Sequence, residues 1–345
     1  MLAAGLQGLA ALRADRWLRR LAQGRGVILM FHRVRPAQRQ DFAPNRVLEI
    51  TPEFLDCVLL ELRREGFDII PLEDVPSRLQ AASDGPRPFA ALTFDDGYRD
   101  NAEHARPVLK RHGAAWTIFV TAEFAEGRGR LWWIELEQAV AKLNRVVVRD
   151  AKALDLPTRS PGEKHVAFAT LHRLLRAGSP QRLSAVAEDL AAQAGIDTVR
   201  LTRNVCLSWD EIRALACDPD VTIGAHTVSH PALAKHDADT ATREIADSRS
   251  AIERQLGRPV RHFSYPFGDR SAAGLREFRL ARGLGFATAV TSRPGHVFPA
   301  HADQLHALPR VSVNGEFQNT TALRVLLSGA PFLAWTGGRG ARVER

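Results

Sequence analysis

The chain has 345 residues, of which 45% are hydrophobic and 25% charged, and its formal net charge is +8. This composition supplies a packed core and excludes wholesale disorder, and the length allows one large domain or two ordinary ones. The positive charge comes almost entirely from arginine, since only five lysines are present. No basic run with interleaved aromatic residues accompanies it, so we expect no nucleic-acid partner. The bias fits either genomic base composition or a surface that meets anionic polymers or lipid headgroups.

The three cysteines, Cys57, Cys206 and Cys217, show no pairwise spacing typical of a metal site. An odd number cannot all pair within the chain, so the sequence is compatible with a reducing compartment. No run of about 18 apolar residues is present, and therefore no membrane-spanning helix is predicted.

Residues 1–24 are predicted to form an N-terminal amphipathic helix. Apolar residues recur at helical spacing from Leu2 to Leu21, and arginines occupy positions 13, 16, 19 and 20. No basic region precedes the apolar part, and the segment ends in charge rather than in small residues, which argues against a cleaved signal. The helix either packs on the domain or rests on a membrane face. We therefore expect a cytoplasmic protein, with peripheral membrane contact through residues 1–21 as the open alternative.

The first predicted elements alternate between strand and helix. The apolar run 27–31 is typical of a strand buried on both faces, and it ends at His32. A helix follows, with Thr51 as N-cap and Pro52 at its first position, and Gly66 terminates it. A second strand is predicted over 67–70.

The same alternation continues along the chain. Further strands are predicted over 90–94, 117–120, 221–224, 262–265, 286–290 and 310–313, with helices over 101–112 and 240–256. Such alternation indicates parallel strands, either closed into a barrel or doubly wound. Residues 131–205 read as helical apart from 146–148, and we interpret them as an insertion within a barrel domain of residues 25–328. The Gly- and Arg-rich tail 329–345 is predicted to be loosely ordered.

Chemistry-bearing residues follow the predicted strands. His32 comes after the first strand, Asp95-Asp96 after 90–94, His226 after 221–224, and Pro266-Phe267-Gly268 after 262–265. In parallel barrels, active sites are built at the carboxyl edge of the strands. Each feature alone has an ordinary structural explanation, but their occurrence at one edge favours a functional site.

The spacing of His226 and His230 restricts how the two imidazoles could share a metal. Four residues of extended strand span about 13 Å, so the pair can chelate only through a turn or a helix. The adjacent Asp95 and Asp96 point to opposite faces of a strand, but a chain that curls at Gly97 can send one carboxylate to a metal and the other to a substrate.

These segments resemble the motifs of a known family. Thr93-Phe94-Asp95-Asp96-Gly97, His226-Thr227-x-x-His230 and Tyr265-Pro266-Phe267-Gly268 are similar, in order and separation, to the first three motifs of the polysaccharide deacetylases, the NodB-type carbohydrate esterases. The resemblance covers about residues 27–315. It implies a distorted (β/α) barrel of seven or eight strands that removes acetyl groups from acetylated sugars with a divalent metal, often zinc.

The resemblance also implies roles for individual residues. Asp96, His226 and His230 would be the metal ligands, which leaves open positions as a catalytic zinc requires. Asp95 would be the general base, and the backbone N–H at Phe267, between Pro266 and Gly268 and after Tyr265, would stabilise the oxyanion.

Two departures from the family pattern leave positions open. The arginine that members often carry two residues before the motif proline is replaced by Ser264, and Arg261 and Arg310 are the candidate substitutes. Gln304-Leu305-His306 does not match the family's usual Leu-x-His. We therefore predict His32 as general acid, since it resembles the early histidine of deacetylases acting on poly-N-acetylglucosamine, and keep His306 in reserve.

The sequence thus predicts a metal-dependent N-deacetylase of an acetylated amino-sugar polymer or oligosaccharide, in exopolysaccharide or envelope glycan metabolism. A glycan O-acetyl esterase and a non-catalytic carbohydrate-binding barrel are the alternatives, the latter favoured by the missing arginine. Trp132, Trp133 and Trp209 could stack on sugar rings or serve in packing, and Asp210 is predicted to lie at a helix start.

Overall fold

The fold is built around a closed ring of parallel strands. The structure, a computed structural model, describes residues 2–11, 13, 17–81, 87–149 and 153–335. Twelve strands occur there: β1 Gly26–Phe31, β2 Arg33–Val34, β3 Glu49–Ile50, β4 Asp68–Ile69, β5 Phe89–Phe94, β6 Trp116–Val120, β7 Arg145–Val148, β8 Leu154–Pro157, β9 Val221–Ala225, β10 His262–Ser264, β11 Thr288–Pro294 and β12 Leu308–Ser312. The ring runs β1-β12-β11-β10-β9-β6-β5 and closes through β1 and β5, and β4 pairs in parallel with the first two residues of β5.

The barrel strands form because their residues are apolar on both faces. Every residue of β1, β5 and β6 is buried, as expected for parallel strands with a packed interior on one side and helices on the other. The predicted barrel is confirmed, with seven strands in its ring. The strand predicted over 286–290 begins two residues later, at Thr288.

Helices cover the outside of the barrel. Their bounds are Leu2–Ala11, Arg19–Ala22, Pro52–Arg64, Val75–Gln80, Arg106–Arg111, Ala122–Ala125, Trp132–Lys142, Pro161–Ala177, Pro180–Gln193, Thr198–Val205, Trp209–Ala216, Ala238–Leu256, Leu275–Gly283, Thr320–Leu327 and Ala330–Trp335. The 3₁₀ segments are Pro44–Leu48, Leu72–Asp74, Leu233–Lys235 and Pro299–Asp303, and a π-helical turn spans Asn101–Ala105. Thr51 caps its helix as predicted, because its side chain accepts a hydrogen bond from the Phe54 N–H. None of these helices in the described ranges is long and apolar enough to cross a membrane.

The stretch 131–205 lies between β6 and β9 and contains four helices and the antiparallel pair β7–β8. It packs around a hydrophobic cluster of its own that reaches the barrel at Tyr98 and Phe124. Its first helix starts at Trp132, directly beside the carboxyl edge of the barrel strands. The insertion is therefore placed to cover that edge.

The two ends of the chain pack together on one side of the barrel. Leu6 of the first helix is 3% exposed and contacts the barrel's hydrophobic core, whereas Trp17 and Leu21 are 65% and 73% exposed. Packing thus accounts for the first helix, and membrane contact through residues 1–21 stays a prediction. The prediction that the tail 329–345 is loosely ordered was wrong for its first residues. Ala330–Trp335 is helical, and Ala330 and Phe332 are buried. Residues 336–345 lie outside the described residues.

Candidate active site

The carboxyl ends of the barrel strands surround a cavity of about 300 Å³. The residues from the sequence motifs that line it are His32, Asp95, Asp96, His226, His230, Tyr265, Phe267 and Arg310. They follow or lie in β1, β5, β9, β10 and β12, so the barrel topology gathers segments up to 278 residues apart in sequence. Parallel barrels place their sites at this edge.

Asp95 is held by a buried arginine. Arg310 Nη1 and Nη2 donate to Asp95 Oδ1 and Oδ2 at 2.8 and 2.7 Å, in a two-pronged ion pair. The guanidinium also donates to Ser264 Oγ at 3.0 Å and to the Thr291 carbonyl at 2.7 Å. Arg310 is 1% exposed. The planar guanidinium matches a carboxylate in this way and fixes its orientation.

The pairing also fixes the charge on Asp95. Burial alone raises the pKa of a carboxyl group, but the positive charge of Arg310, with the imidazole of His226 and the Arg310 hydrogen bonds, outweighs it, and the pKa of Asp95 is lowered. The carboxylate is therefore ionised at neutral pH. Both its oxygens are oriented by the same partner.

Asp96 faces the two histidines. Its Oδ1 lies 3.3 Å from His226 Nε2 and 3.2 Å from His230 Nε2, and all three side chains are buried. One ligand atom from each residue lies within 4.8 Å of the others, the spacing of a metal site. Burial raises the pKa of Asp96, but the imidazoles of His226 and His230 beside it lower that pKa well below the usual value.

The tautomer of His226 indicates that Asp96, His226 and His230 together suit a cation. His226 Nδ1 lies 2.7 Å from the Ser264 carbonyl, which can only accept, so Nδ1 carries the hydrogen and the neutral ring has a lone pair at Nε2. That lone pair and the Asp96 carboxylate are two acceptors facing each other, and a metal ion between them satisfies both. A backbone partner at Nδ1 is the usual way in which a ligating histidine is oriented.

The histidine segment is a turn and not a helix. Thr227 and His230 both have φ of +64°, in the left-handed region. Thr227 Oγ1 accepts the His230 N–H at 3.0 Å and donates to the His226 carbonyl at 2.5 Å, so one hydroxyl closes the turn. Of the two geometries that the spacing allows, the structure has the turn.

The motif after β10 is also strained. Phe267 has φ of +61°, which is rare for a residue with a side chain and is frequent at functional sites. Gly268 follows with the same φ, and a Cβ there would lie 2.5 Å from the Ser292 nitrogen, so no side chain fits. In the described part of the chain, no protein acceptor is found for the Phe267 N–H.

His32 reaches the cavity from the end of β1. The Asn101 side-chain amide donates to the His32 carbonyl at 2.9 Å, and the neighbouring Arg33 pairs with Asp100 at 2.7 Å. These contacts fix the backbone at His32. Its imidazole is half-buried and lines the cavity with both aspartates.

Other predicted residues lie elsewhere. His306 does not line this cavity; its Nε2 bonds to the Phe286 carbonyl at 2.7 Å. Arg261 pairs with Glu73 at 2.7 Å, at the amino end of β10, so Arg310 and not Arg261 contacts Asp95. Tyr265 lines the cavity, but its hydroxyl donates to the His306 carbonyl. Pro266 joins Tyr265 to Phe267 and is not part of the lining.

The cavity also contains residues that the sequence motifs did not reveal, some of them from the insertion. Asn45, His172, Arg176 and Asp269 line the cavity together with Trp132 and Trp133. Arg176 pairs with Asp269 at 2.7 Å, and its guanidinium lies 3.8 Å from the centre of the Phe267 ring. His172, Arg176 and the tryptophans belong to helices of the insertion, whose position over the barrel no local pattern encodes.

The three tryptophans differ in their surroundings. Trp132 and Trp133 are each 5% exposed and belong to the hydrophobic cluster of the insertion, so packing is their main role although both border the cavity. Trp209 packs against the barrel core. Asp210 lies in the first turn of the helix Trp209–Ala216, as predicted, with Ser208 as the N-cap.

Comparisons with known proteins agree with the motifs. A family model described as polysaccharide deacetylase matches residues 82–286. YxkH of Bacillus subtilis (strain 168), a curated protein assigned to the polysaccharide deacetylases, is 20% identical over 299 residues, which cover 86% of this chain and 75% of the relative.

Solved structures of low sequence identity share the fold. The deacetylase PplD of Streptococcus pyogenes in complex with acetate superposes with a TM-score of 0.56 at 19% identity, covering 88% of this chain and 97% of PplD. IcaB from Ammonifex degensii gives 0.54 at 19% identity, with 88% and 98% covered. A de-N-acetylase from Aggregatibacter actinomycetemcomitans gives 0.53 at 14% identity, with 87% and 98% covered. Since the family model spans more than half of the sequence and includes the aspartate and histidine motifs, the chain belongs to the polysaccharide deacetylase family.

Proposed function

We propose that this protein is a metal-dependent deacetylase that hydrolyses the N-acetyl group of an acetylated amino-sugar polymer or oligosaccharide, in exopolysaccharide or envelope glycan metabolism. The observation that carries the proposal is the contrast between two adjacent carboxylates in one cavity. Asp96 faces two imidazole nitrogens, whereas Asp95 is held by Arg310. One carboxylate is thereby free for proton transfer beside a metal site.

Asp96, His226 and His230 would hold the metal, and we propose zinc because two imidazoles and a carboxylate with open positions are typical of catalytic zinc. A bound zinc ion supplies Lewis-acid polarisation of a carbonyl oxygen and makes nearby water more acidic. The lone pair at His226 Nε2 and the close spacing of the three donor atoms support this assignment.

Within this site, Asp95 would act as general base. Its ionised carboxylate accepts a proton from the attacking water, while Arg310 keeps it in one orientation. Ser264, at the position where relatives often carry arginine, accepts a hydrogen bond from Arg310 instead. Arg310 thus fills the place left by the missing arginine, which removes the sequence argument for a non-catalytic barrel.

The opposite side of the reaction would use two further groups. The Phe267 N–H would donate to the negative oxygen that develops on the acetyl carbonyl. The left-handed φ of Phe267 sets the orientation of this N–H. His32 donates a proton to the leaving nitrogen. An amine leaves poorly unless it is protonated, so a general acid in the cavity favours amide over ester hydrolysis. One structural relative is named a de-N-acetylase, which supports the same choice.

Acetate release from matched substrates tests the proposal. Purified protein is stripped of metal, reloaded with zinc, and assayed on N-acetylglucosamine oligomers and on an O-acetylated glycan, with free amine and acetate measured separately. We expect acetate and amine in equal amounts from the oligomers, only with zinc present. Acetate from the O-acetylated glycan alone would make the protein an esterase, and bound zinc with no acetate from either would make it a binding barrel.

A further inference from the structure

Asn45 brings an amide side chain into the catalytic cavity from outside the barrel strands. It lies in the 3₁₀ segment Pro44–Leu48, between β2 and β3, and lines the cavity together with Val47 of the same segment. The preceding Phe42 packs edge-on against Phe168 of the insertion, with ring centres 6.3 Å apart. The segment is thus held against the insertion and forms one wall of the cavity.

Two hydrogen bonds fix which end of the Asn45 amide is left for the cavity. Asn45 Nδ2 lies 2.8 Å from the Trp133 carbonyl oxygen and 2.8 Å from Glu137 Oε2. A carbonyl oxygen can only accept, so the atom beside it is the amide nitrogen, and both of its hydrogens are used. Asn45 Oδ1 is left as an acceptor, and no residue in the described ranges donates to it.

This free acceptor belongs to a side chain with little access to solvent. Asn45 is 8% exposed, and the apolar side chains of Met30, Val47 and Leu48 line the same cavity. A polar group that loses its hydrogen bond on burial is costly, and such groups are rare in native proteins. A ligand that displaces solvent from Asn45 Oδ1 must therefore supply a donor in return.

The carboxylates of the cavity lining are already engaged. Both oxygens of Asp95 are held by an arginine, and Asp96 faces two imidazoles. Asp269 accepts from another arginine and from a backbone amide. The imidazole of His172 can donate as well as accept, so it does not select for a donor. Among the described residues of the lining, Asn45 thus offers the side-chain oxygen that specifically requires a donor.

An acetamido group and an acetyl ester differ in one atom at the bond that is broken. The amide carries an N–H there, whereas the ester carries an oxygen that can only accept. In the proposed reaction the acetyl carbonyl oxygen faces the metal position and the Phe267 N–H, so the amide N–H still lacks an acceptor. Asn45 Oδ1 supplies one, and an ester oxygen would set two acceptors against each other. A site built to bond a substrate N–H rejects the analogue that lacks it.

We propose that Asn45 recognises the N–H of the acetamido group that is hydrolysed, and that it thereby makes the site prefer N-acetyl over O-acetyl sugars. This rests on the proposed function, to which it adds a specificity-determining residue. Glu137 contacts Asn45 but does not line the cavity, so it is a positioning residue that holds the amide in this orientation.

Hydrolysis of two matched substrates by Asn45→Ala tests the recognition. The substrates are a pentamer of N-acetylglucosamine and a pentamer of 2-O-acetylglucose, which differ only in N–H against O at the reacting bond. We expect Asn45→Ala to lower kcat/KM about tenfold or more on the amide and to leave the ester within about twofold, since only the amide loses a hydrogen bond. Equal losses on both substrates would show that Asn45 has a structural role only.

Two further positions separate recognition from a general change in the segment. Val47→Ala trims the lining of the same 3₁₀ segment and touches no side-chain hydrogen bond, so it should change both rates by one common factor. Glu137→Leu should lose part of the preference for the amide, whereas Glu137→Gln keeps a side-chain oxygen and should retain it. Equal preferences in these two Glu137 variants would contradict the proposed orientation of Asn45.

The outcomes separate this inference from the proposed function. If wild type releases acetate from the N-acetyl pentamer and Asn45→Ala lowers both rates equally, the recognition is wrong and the function stands. If wild type releases no acetate from either pentamer, the function is wrong. Calorimetric affinities then make the same comparison without turnover, because wild type should bind the N-acetyl pentamer more tightly than the O-acetyl one and Asn45→Ala should not. Equal affinities in wild type would overturn the recognition as well.

Discussion

Asp95 and Asp96 are neighbours in sequence and are equally buried, but they differ in backbone conformation and in the side chains they contact. Asp95 extends β5 and points to Arg310, whereas Asp96 has a φ of +72° and turns its carboxylate to the two histidines. Gly97 follows with φ of +65°, so the chain curls immediately after the strand. Two adjacent residues thus have different proposed roles: Asp95 transfers a proton, and Asp96 binds the metal.

Replacement of Asp95, the proposed base, should remove activity without removing metal. We expect Asp95→Asn to lower the rate of acetate release by about 10²–10⁴-fold, the usual contribution of general base catalysis, with zinc content unchanged. His226→Ala should lose both zinc and activity. Metal content measured beside the initial rate distinguishes them, and an active Asp95→Asn protein would show that Asp95 is not the base.

The Arg310–Asp95 pair should matter for stability as well. Arg310→Met removes the cation that contacts both carboxylate oxygens of Asp95 and leaves a buried charge, which costs about 3–5 kcal/mol. Urea denaturation measures the change in the free energy of unfolding. The double variant with Asp95→Asn should recover part of the loss because no charge is then stranded. A cost in Arg310→Met below about 1 kcal/mol would contradict the pairing.

At the scale of the element, the turn after β9 positions both histidines of the proposed metal site. His226 and His230 are the first and last of five residues that form an irregular turn. The Thr227 hydroxyl bonds to the backbone of both histidines and so holds the turn together. The neighbouring amides of Val228 and Ser229 donate to Glu244 of the helix Ala238–Leu256 at 2.9 Å, which fixes the turn to a rigid element. The positions of the two imidazoles therefore depend on hydrogen bonds made by Thr227 and Glu244.

We expect Thr227→Ala to weaken zinc binding about 10–100-fold, the usual effect of losing an outer partner of metal ligands. Calorimetric titration of the metal-free protein measures the affinity. Thr227→Ser keeps the hydroxyl and serves as the matched control. If Thr227→Ala bound zinc as tightly as Thr227→Ser, the hydroxyl would have no part in positioning His226 and His230.

For the whole molecule, acidification should lower stability through a buried histidine remote from the site. His296 is 2% exposed, and its Nε2 bonds to the Leu326 carbonyl at 2.9 Å. Burial lowers the pKa of His296 from 6.5 to about 4. The unfolded chain therefore binds a proton between these values that the folded chain does not, so stability is complete above pH 6.5 and falls as pH decreases towards 4.

The size of this effect follows from the shift in pKa. A single group shifted this far contributes about 3 kcal/mol to the free energy of unfolding, lost between pH 6.5 and 4. The free energy of unfolding, measured by urea denaturation across that pH range, should depend less on pH in His296→Gln than in wild type. His262, whose pKa burial also lowers, leaves some residual slope. Identical profiles would show that His296 is protonated in the folded protein.

Much of the fold could be predicted from local pattern. The apolar runs that became β1, β5 and β6 are long enough to require burial on both faces, and Thr51-Pro52 marks a helix start by its own chemistry. Strand ends were harder where the apolar run is short, as at β11. The tail was misjudged because the burial of Ala330 and Phe332 comes from packing against distant segments.

Some residues of the candidate site could likewise be predicted from local sequence, and others could not. The motifs around Asp95, His226 and Phe267 are local, since a turn with left-handed residues needs its own sequence, and they sufficed to predict the cavity's main residues. Arg310 could not be chosen over Arg261 from sequence, because both lie near predicted strands. Only the direction of the strands shows that Arg310 enters the barrel interior whereas Arg261 lies at the opposite end.

By itself the sequence determined the alternation of parallel strands and helices, the edge at which the candidate site lies, and the residues that could bind a metal, because apolar periodicity and short motifs act within a few residues. The barrel was implied only by the resemblance of the motifs to a family. The tertiary structure alone decided which arginine holds Asp95, that the histidines meet through a turn, and that the insertion adds Arg176 to the cavity. Those features arise from contacts between segments far apart in the chain, and their geometry depends on how the closed ring of strands and the insertion pack together.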